Sequence, residues 1–433
     1  MNVKILNVKI LNVKILNTFA LCVPLMLSCA QEREPMPWEK DPNFGKPSTE
    51  TSEAKLGETL PDWKEGYLDI HAINSGRGEC SFIIMPDGTT LIIDAGDVGE
   101  GKSSYPKVPC KPANTAPVTT YSRYIQHFLP SQCNGKVDYM LLTHYHNDHM
   151  GSCNSSEYEM NAEGGYRKTG LMGLYDLVKF GKYVDRCYPD YTAAALETND
   201  YTAGYTQLAS FTSWNAKRDG LVSERFKLGS ETQFVLKYKA SSYPDFKISN
   251  VAANGEICVD GQRQDLWGTA AHYENGMSCG ILLSFGAFDY LTCGDAGQNG
   301  KIEQPLAKAL NRRIEAMKAN HHFSVNCMTP AAMSILMPRV VVTQSFYERD
   351  DQPNTEALKT FYSSYVGEKN LYFTNVVAAQ QEAHEDVYGI AAGINGHVVI
   401  RVSPEADSFF VYMLDDSDFN YKVTKIDGPF NCN

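Results

Sequence analysis

Four side chains of the kinds that bind metal ions lie within six residues of one another: His144, His146, Asp148 and His149. Imidazole nitrogens and carboxylate oxygens are ligands for zinc, iron and manganese. The 433-residue chain contains ten histidines. Three of them within this short segment favour a metal site over a polar turn that is rich in histidine by chance. A cation bound there would lower the pKa of a water molecule, so the cluster predicts metal-dependent hydrolysis.

Two segments further along the chain carry additional ligand types. Asp295 follows an apolar run, where its carboxylate would bridge two cations, and His321 and His322 follow a predicted helix at 304–318. His272 lies between the first cluster and Asp295, and it is either a ligand or a loop residue. These residues extend the predicted site from one cation to two.

The elements that position these ligands are read from hydrophobic spacing. A short apolar run at 137–142, typical of a buried strand, comes directly before the first cluster. Similar patterns predict strands at 67–74, 80–85, 89–93, 233–239, 280–285, 288–291, 339–343 and 397–402. Helical spacing predicts helices at about 118–129, 304–318 and 354–365. Many strands with helices between and after them indicate a mixed α/β layered domain.

The first 65 residues have a different composition. Lysines and an apolar run in residues 1–28 predict an export signal, and the segment that ends at Cys29 is similar to a bacterial lipobox. We therefore expect an exported protein, either a lipoprotein held in a membrane through Cys29 or a soluble secreted protein. Residues 29–65 are polar and proline-rich and predict a disordered tether, whereas 66–433 form one domain.

A segment at about 153–232 is unusually rich in tyrosine. We expect it to be an insertion beside the metal site, either as a wall or lid over the substrate or as a surface excursion with its aromatic side chains packed beneath it. Export permits disulfides, and Cys110, Cys133 and Cys153 are candidates, whereas Cys293 lies in an apolar strand and is expected in the core.

The charge of the chain bears on its partners. The formal net charge is −12, which disfavours nucleic acid because binding to it depends on neutralising phosphates with Lys and Arg. A small-molecule or cell-envelope substrate is the expected partner.

Several motifs resemble known sequences. Residues 144–149 (HYHNDH) resemble the HxHxDH signature of the metallo-β-lactamase superfamily, and Asp94 and Asp295 match its other aspartates. The stretches 74–82, 86–96, 275–295 and 321–324 are similar to the extracytoplasmic hydrolase-like domain of the competence protein ComEC. The likeness covers roughly residues 67–405.

This resemblance implies a four-layered αββα sandwich with one or two divalent cations at one edge of its sheets, zinc first, with manganese and iron as alternatives. The implied metal ligands are His144, His146, Asp148, His149, Asp295 and His322. Asp94 would orient a ligand histidine, and Asp148, Asp295 and His321 would act in catalysis, with Lys318 or Ser324 as further contacts to a leaving group. His322 is favoured over His321 as the last ligand by its likeness to tRNA-processing relatives.

Three functions remain open at this point. The first is an exported hydrolase of phosphoesters or phosphodiesters, which the ComEC-like and phosphorylcholine-esterase-like resemblance implies. The second is a hydrolase of lactones, thioesters or β-lactams. The third is a surface lipoprotein that binds a ligand with little turnover.

Overall fold

The computed structural model describes residues 51–99, 109–192, 202–266, 273–297, 301–346 and 349–432. The predicted export signal (1–28) and the predicted lipid anchor at Cys29 lie outside these ranges. Most of the described strands form two sheets of nine strands each. The first sheet has, from edge to edge, β20 (Val423–Asn431), β19 (Ser408–Leu414), β18 (His397–Val402), β1 (Leu68–Ala72), β2 (Ser81–Ile84), β3 (Thr90–Ile93), β4 (Val137–Leu141), β7 (Phe180–Asp185) and β8 (Val222–Arg225).

The second sheet runs through the C-terminal half of the chain. It has, from edge to edge, β11 (Gln262–Asp265), β10 (Glu256–Val259), β9 (Phe246–Ala253), β12 (Gly280–Phe285), β13 (Phe288–Thr292), β14 (Ala316–Lys318), β15 (Val340–Thr343), β16 (Asn370–Phe373) and β17 (Gly393–Ile394). A separate two-stranded ribbon joins β5 (Met160–Asn161) to β6 (Tyr166–Arg167).

Helices cover the outer faces of both sheets. The described α-helices are α1 (Pro117–Phe128), α2 (Asn147–Met150), α3 (Gly170–Leu177), α4 (Thr202–Asp219), α5 (Glu303–Leu310), α6 (Pro330–Leu336), α7 (Thr355–Ser364), α8 (Ala378–Ala383) and α9 (Glu385–Tyr388). Three buried apolar clusters separate the layers. One lies between the first sheet and α1, α3 and α4, one between the sheets, and one between the second sheet and α5, α6, α7 and α9.

Alternation along single strands explains this layering. In β3, Ile92 faces the helices while Ile93 faces the other sheet, and in β12, Leu282 and Ile281 divide in the same way. Successive side chains of a strand point to opposite faces, so a strand that is apolar throughout is buried on both sides. The predicted four-layered αββα sandwich is confirmed.

Two predicted elements are wrong. Residues 233–239 alternate as a strand would, but their backbone N–H groups bond to side chains: that of Lys237 donates to Thr89 Oγ1, and those of Tyr238 and Lys239 donate to Asp87 Oδ2. The predicted helix at 304–318 is two elements, α5 and β14, because the chain turns at Asn311 with a left-handed φ of 45°. That turn returns the chain to the sheet just before the histidine pair.

The predicted tether extends too far. Within residues 29–65, Ala54 and Leu60 are buried against the first sheet and its helices, and the N–H of Gly57 donates to the carbonyl of Val423. The described part of this segment from 54 onward therefore belongs to the folded domain, because its apolar side chains complete the core.

The tyrosine-rich segment is built into the fold. It supplies β7 and β8 of the first sheet, and Tyr166, Tyr175, Tyr183 and Tyr205 are buried beneath the helices. The prediction of an aromatic lid is wrong for these four side chains, and the alternative of aromatics packed beneath the surface holds for them. Of the disulfide candidates, Cys133 and Cys153 are buried free thiols, so the expectation of a disulfide is wrong for these two.

Candidate metal centre

The predicted ligands are brought together by the ends of four strands. Strands β3 and β4 are parallel neighbours in the first sheet, as β13 and β14 are in the second. Asp94 follows β3, the 144–149 loop follows β4, Asp295 follows β13, and the histidine pair follows β14. The carboxyl ends of parallel strands meet at one edge of a sheet, where open α/β folds hold their ligands.

Two glycines allow the loops at this edge to approach closely. A Cβ atom on Gly96 would lie 1.7 Å from the carbonyl oxygen of Asp148, and one on Gly294 would lie 2.8 Å from Thr143 Oγ1. Gly294 also has a φ of +52°, which L side chains rarely adopt. Glycine is therefore needed at both positions, so that Asp148, which packs against Gly96, and Asp295, which follows Gly294, can reach the site.

A first group of ligand atoms contains His144, His146 and Asp295. His144 Nε2 lies 3.2 Å from His146 Nδ1 and 3.7 Å from Asp295 Oδ2. Burial and the neighbouring His149 lower the pKa of His144 well below its usual value, so its imidazole is neutral and its nitrogen can bind a cation.

A second group is formed by His149, His322, Asp148 and Asp295. His149 Nε2 lies 3.1 Å from His322 Nε2 and 3.2 Å from Asp295 Oδ2. Asp148 Oδ2 is 3.4 Å from His322 Nε2 and 3.8 Å from His149 Nε2. Two nitrogens bound tetrahedrally to one zinc ion at 2.0–2.1 Å lie about 3.3 Å apart. The spacing in both groups fits a cation between the ligands.

The imidazoles are oriented from behind by hydrogen bonds at their Nδ1 atoms. His149 Nδ1 donates to Asp94 Oδ2 at 2.8 Å, and His322 Nδ1 donates to the carbonyl of Gln344 at 2.7 Å. Asp94 also accepts bonds from the N–H and the hydroxyl of Thr143, both at 2.7 Å. Burial raises the pKa of Asp94, and these three donors partly offset that effect. The arrangement leaves Nε2 of both histidines turned toward the other predicted ligands.

The electrostatics of the second group follow from burial and pairing. Burial opposes ionisation of Asp148, but the charges of His149 and His322 outweigh it and lower its pKa to about 2. Burial likewise opposes protonation of His322, but Asp295 and Asp148 raise its pKa to about 9. In the absence of cations, protons on the histidines thus balance the carboxylates, and a cation would replace those protons.

His321 lies at the mouth of the site rather than among the ligands. Its Nε2 accepts bonds from Asn275 Nδ2 at 3.1 Å and Gln352 Nε2 at 2.7 Å, and it is 3.8 Å from Asp295 Oδ2. Its side chain is 14% exposed, whereas that of His322 is fully buried. Of the pair, it is His322 that lies among the other predicted ligands, and its role as a ligand stays a prediction. His272 lies outside the described residues.

The motif at 275–278 has a role that its sequence did not reveal. Ser278 Oγ accepts a bond from the N–H of Asp295 at 3.2 Å, while Asn275 holds His321. The motif therefore positions one residue of the site and one at its mouth.

Two buried charges in the site were missed or misplaced by sequence reasoning. Glu79, in the loop before β2, is grouped with the second set of ligand atoms. It faces Nδ1 of His322 at 3.5 Å, however, and Nδ1 is the side turned away from the other ligands. Lys318, predicted to contact a leaving group, is 1% exposed and pairs with Glu79 at 2.9 Å. Both charges lie behind the ligands, and no local spacing signals a pairing so distant in sequence.

The chain was compared with families and proteins of known sequence and structure. No family model and no curated protein matches it in sequence. Among solved structures it is similar to CmlA, a diiron β-hydroxylase from Streptomyces venezuelae, at 11% identity and a TM-score of 0.37, over 79% of this chain and 55% of that one. The chain thus spans about half of the length of CmlA.

Two further solved structures are similar over much of the chain. They are Zn²⁺-bound PqqB from Methylobacterium extorquens, at 13% identity and a TM-score of 0.29 over 58% of this chain and 71% of that one, and the short form of human tRNase Z, at 10% identity and a TM-score of 0.32 over 72% and 94%. With TM-scores this low, the fold and the site stand on the geometry of this chain alone. The ComEC-like subgroup stays a prediction.

Proposed function

We propose that this chain is an exported, metal-dependent hydrolase of the metallo-β-lactamase superfamily, acting on a phosphoester or phosphodiester. The observation that carries the proposal is the arrangement around Asp295. Its Oδ2 atom has Nε2 of His149 at 3.2 Å, of His322 at 3.5 Å and of His144 at 3.7 Å. One carboxylate oxygen surrounded by imidazoles from two ligand groups fits a bridge between two divalent cations, with zinc as the first candidate and manganese or iron as alternatives.

When bound, such cations lower the pKa of a water molecule and polarise the bond to be cleaved. The residues of the chain supply the rest. Asp148 lies 3.8 Å from His149 Nε2 and 3.4 Å from His322 Nε2, where it would hold the attacking water or accept a proton from it. Burial lowers the pKa of His321 to about 4, so this imidazole is neutral at pH 7. Its position at the mouth suits contact with the leaving group of the substrate.

The substrate class is supported by the ComEC-like motifs. The net charge of −12 favours a small molecule or a cell-envelope component over nucleic acid. The N-terminal sequence supports export and a lipid anchor at Cys29. In the described ranges, no helix has the length and apolar character needed to cross a membrane. Labelling with a radioactive fatty acid in the native host, lost in Cys29→Ser, tests the anchor.

Hydrolysis is tested with bis-p-nitrophenyl phosphate on the purified mature protein. Turnover that is lost on chelation and in His146→Ala, but kept in His127→Ala, supports the proposal; His127 is an exposed histidine on α1 and serves as the matched control. Turnover of nitrocefin alone would place the enzyme among hydrolases of lactones, thioesters or β-lactams.

Metal content measured by elemental analysis separates an enzyme from a binder. About two equivalents of cation in the wild type, reduced in Asp295→Ala, support the bridged site. Two equivalents without turnover of any ester would instead favour a surface lipoprotein that binds its ligand. A protein that takes up no cation, even when refolded with metal, contradicts the proposal.

A further inference from the structure

A buried lysine lies directly behind the predicted bridging carboxylate. Lys318 is the last residue of β14 and is 1% exposed. Its ammonium donates to the carbonyl of Gly294 at 2.8 Å and pairs with Glu79 Oε2 at 2.9 Å and with Asp295 Oδ1 at 3.4 Å. Lysine is almost never fully buried unless it is paired, so a position with three oxygen partners indicates a specific role.

The two oxygens of Asp295 have different partners. The ammonium of Lys318 lies near Oδ1, whereas the imidazoles of His144, His149 and His322 all lie nearest Oδ2. Oδ1 of Asp295 thus faces the ammonium of Lys318, whereas Oδ2 faces the imidazoles of the two ligand groups.

Glu79 holds the lysine in this place. Its carboxylate is fully buried, and its backbone is fixed because its N–H donates to the carbonyl of Asp148 at 2.8 Å. The ammonium has Glu79 Oε2 at 2.9 Å and the carbonyl oxygen of Gly294 at 2.8 Å, and these two partners hold it beside Oδ1 of Asp295.

We propose that Lys318, anchored by Glu79, is a positioning residue that reserves Oδ1 of Asp295 and leaves Oδ2 as a single-atom bridge between the two cation positions. The inference rests on the proposed two-cation site. A carboxylate without such a partner can bind one cation through both oxygens or give one oxygen to each cation. Either change alters the separation of the two cations. Because Lys318 occupies Oδ1, it excludes both of these binding modes.

The test uses the full mature protein loaded with Mn²⁺, and compares wild type with Lys318→Met and Glu79→Gln. Cation affinity is measured by titration calorimetry, and the magnetic coupling between two bound Mn²⁺ ions by electron paramagnetic resonance. We expect the wild type to show a coupled pair. Glu79→Gln should bind the second cation 10- to 100-fold more weakly, the range found when an outer partner of a ligand is removed. Lys318→Met also removes a positive charge that repels the cations, so its expected sign is an altered or absent coupling.

The control is Lys237→Met, because Lys237 pairs with Asp138 at 2.9 Å and belongs to neither ligand group. Its Mn²⁺ affinity and spectrum should match the wild type. If Lys318→Met does not fold, judged by circular dichroism, the isosteric Glu79→Gln decides the question.

Several outcomes overturn the inference. Unchanged affinity and coupling in Lys318→Met would do so, as would loss of a whole cation in Glu79→Gln while Lys318→Met keeps both, because Glu79 would then be a ligand itself. One cation, or two uncoupled cations, in an active wild type would overturn the bridge and leave the hydrolase proposal in place. A wild type that binds no Mn²⁺, zinc or iron overturns both.

Discussion

A buried ion pair supports the loop of predicted metal ligands at 144–149, and removing its carboxylate has a calculable cost in the free energy of unfolding. Arg186 and Glu274 are 1% and 0% exposed, and the guanidinium bonds to both carboxylate oxygens, at 3.0 and 2.7 Å. Glu274 Oε1 also accepts the N–H of Tyr145 at 2.9 Å, and Tyr145 lies between two predicted ligands. The substitution Glu274→Gln keeps the shape of the side chain but leaves a buried cation facing a neutral amide. Breaking a buried pair on one side costs about 3–5 kcal/mol.

The measurement is urea unfolding of the metal-free protein followed by circular dichroism, since bound cations would add their own stabilisation. Glu65→Gln is the matched control, because Glu65 pairs with Lys239 where both side chains are half exposed. Such a surface pair contributes about 0–1 kcal/mol. A loss of less than about 1 kcal/mol of unfolding free energy in Glu274→Gln would refute the reasoning that the ion pair is shielded from water and that each charge is stabilised by its partner.

Two further predictions concern stability. Burial lowers the pKa of His397 to about 3, and it also lowers that of His71, so both are neutral in the fold. Unfolded histidines titrate near 6.5, so the unfolded chain takes up protons first as the pH falls, and stability is lost from about pH 6.5 toward 3. At pH 5 the loss of unfolding free energy from His397 alone is about 2 kcal/mol. Urea unfolding at pH 7.5 and 5 measures this loss, and His397→Asn should lose less stability between the two pH values than the wild type does. An equal loss in variant and wild type would contradict this. Leu60→Ala should cost about 2–5 kcal/mol in urea unfolding, whereas Leu56→Ala, at a side chain that is 65% exposed, should cost almost nothing; equal effects would contradict the packing of this segment.

The parts of the fold that the sequence predicted are those set by short-range patterns. The run at 137–142 forms β4, and the ligands that follow it lie where a loop leaves the sheet. The predicted ligand residues converge because each follows a strand that ends at the same edge. Their roles as ligands stay predictions, but their placement needed only strand order and the register of alternating side chains.

The parts that it did not predict depend on contacts between distant segments. Residues 233–239 alternate as a strand does, and Phe234 and Leu236 are indeed buried. Their backbone, however, bonds to the side chains of Asp87 and Thr89 rather than to a neighbouring strand, and no pattern within the segment distinguishes the two cases. The pairing of Glu79 with Lys318 is hidden for the same reason.

The charges gathered at the sheet edge bear on how many cations the site holds. Glu79, Asp94, Asp148 and Asp295 are at most 4% exposed, and Lys318 is the buried ammonium among them. Each uncompensated charge away from water costs several kcal/mol. Lys318 pairs with Glu79, and burial raises the pKa of Asp94, so the negative charge that faces the proposed cations is mainly that of Asp148 and Asp295. Two divalent cations would more than balance these two carboxylates, and the excess positive charge would favour an anionic substrate, such as the proposed phosphodiester, over a neutral lactone.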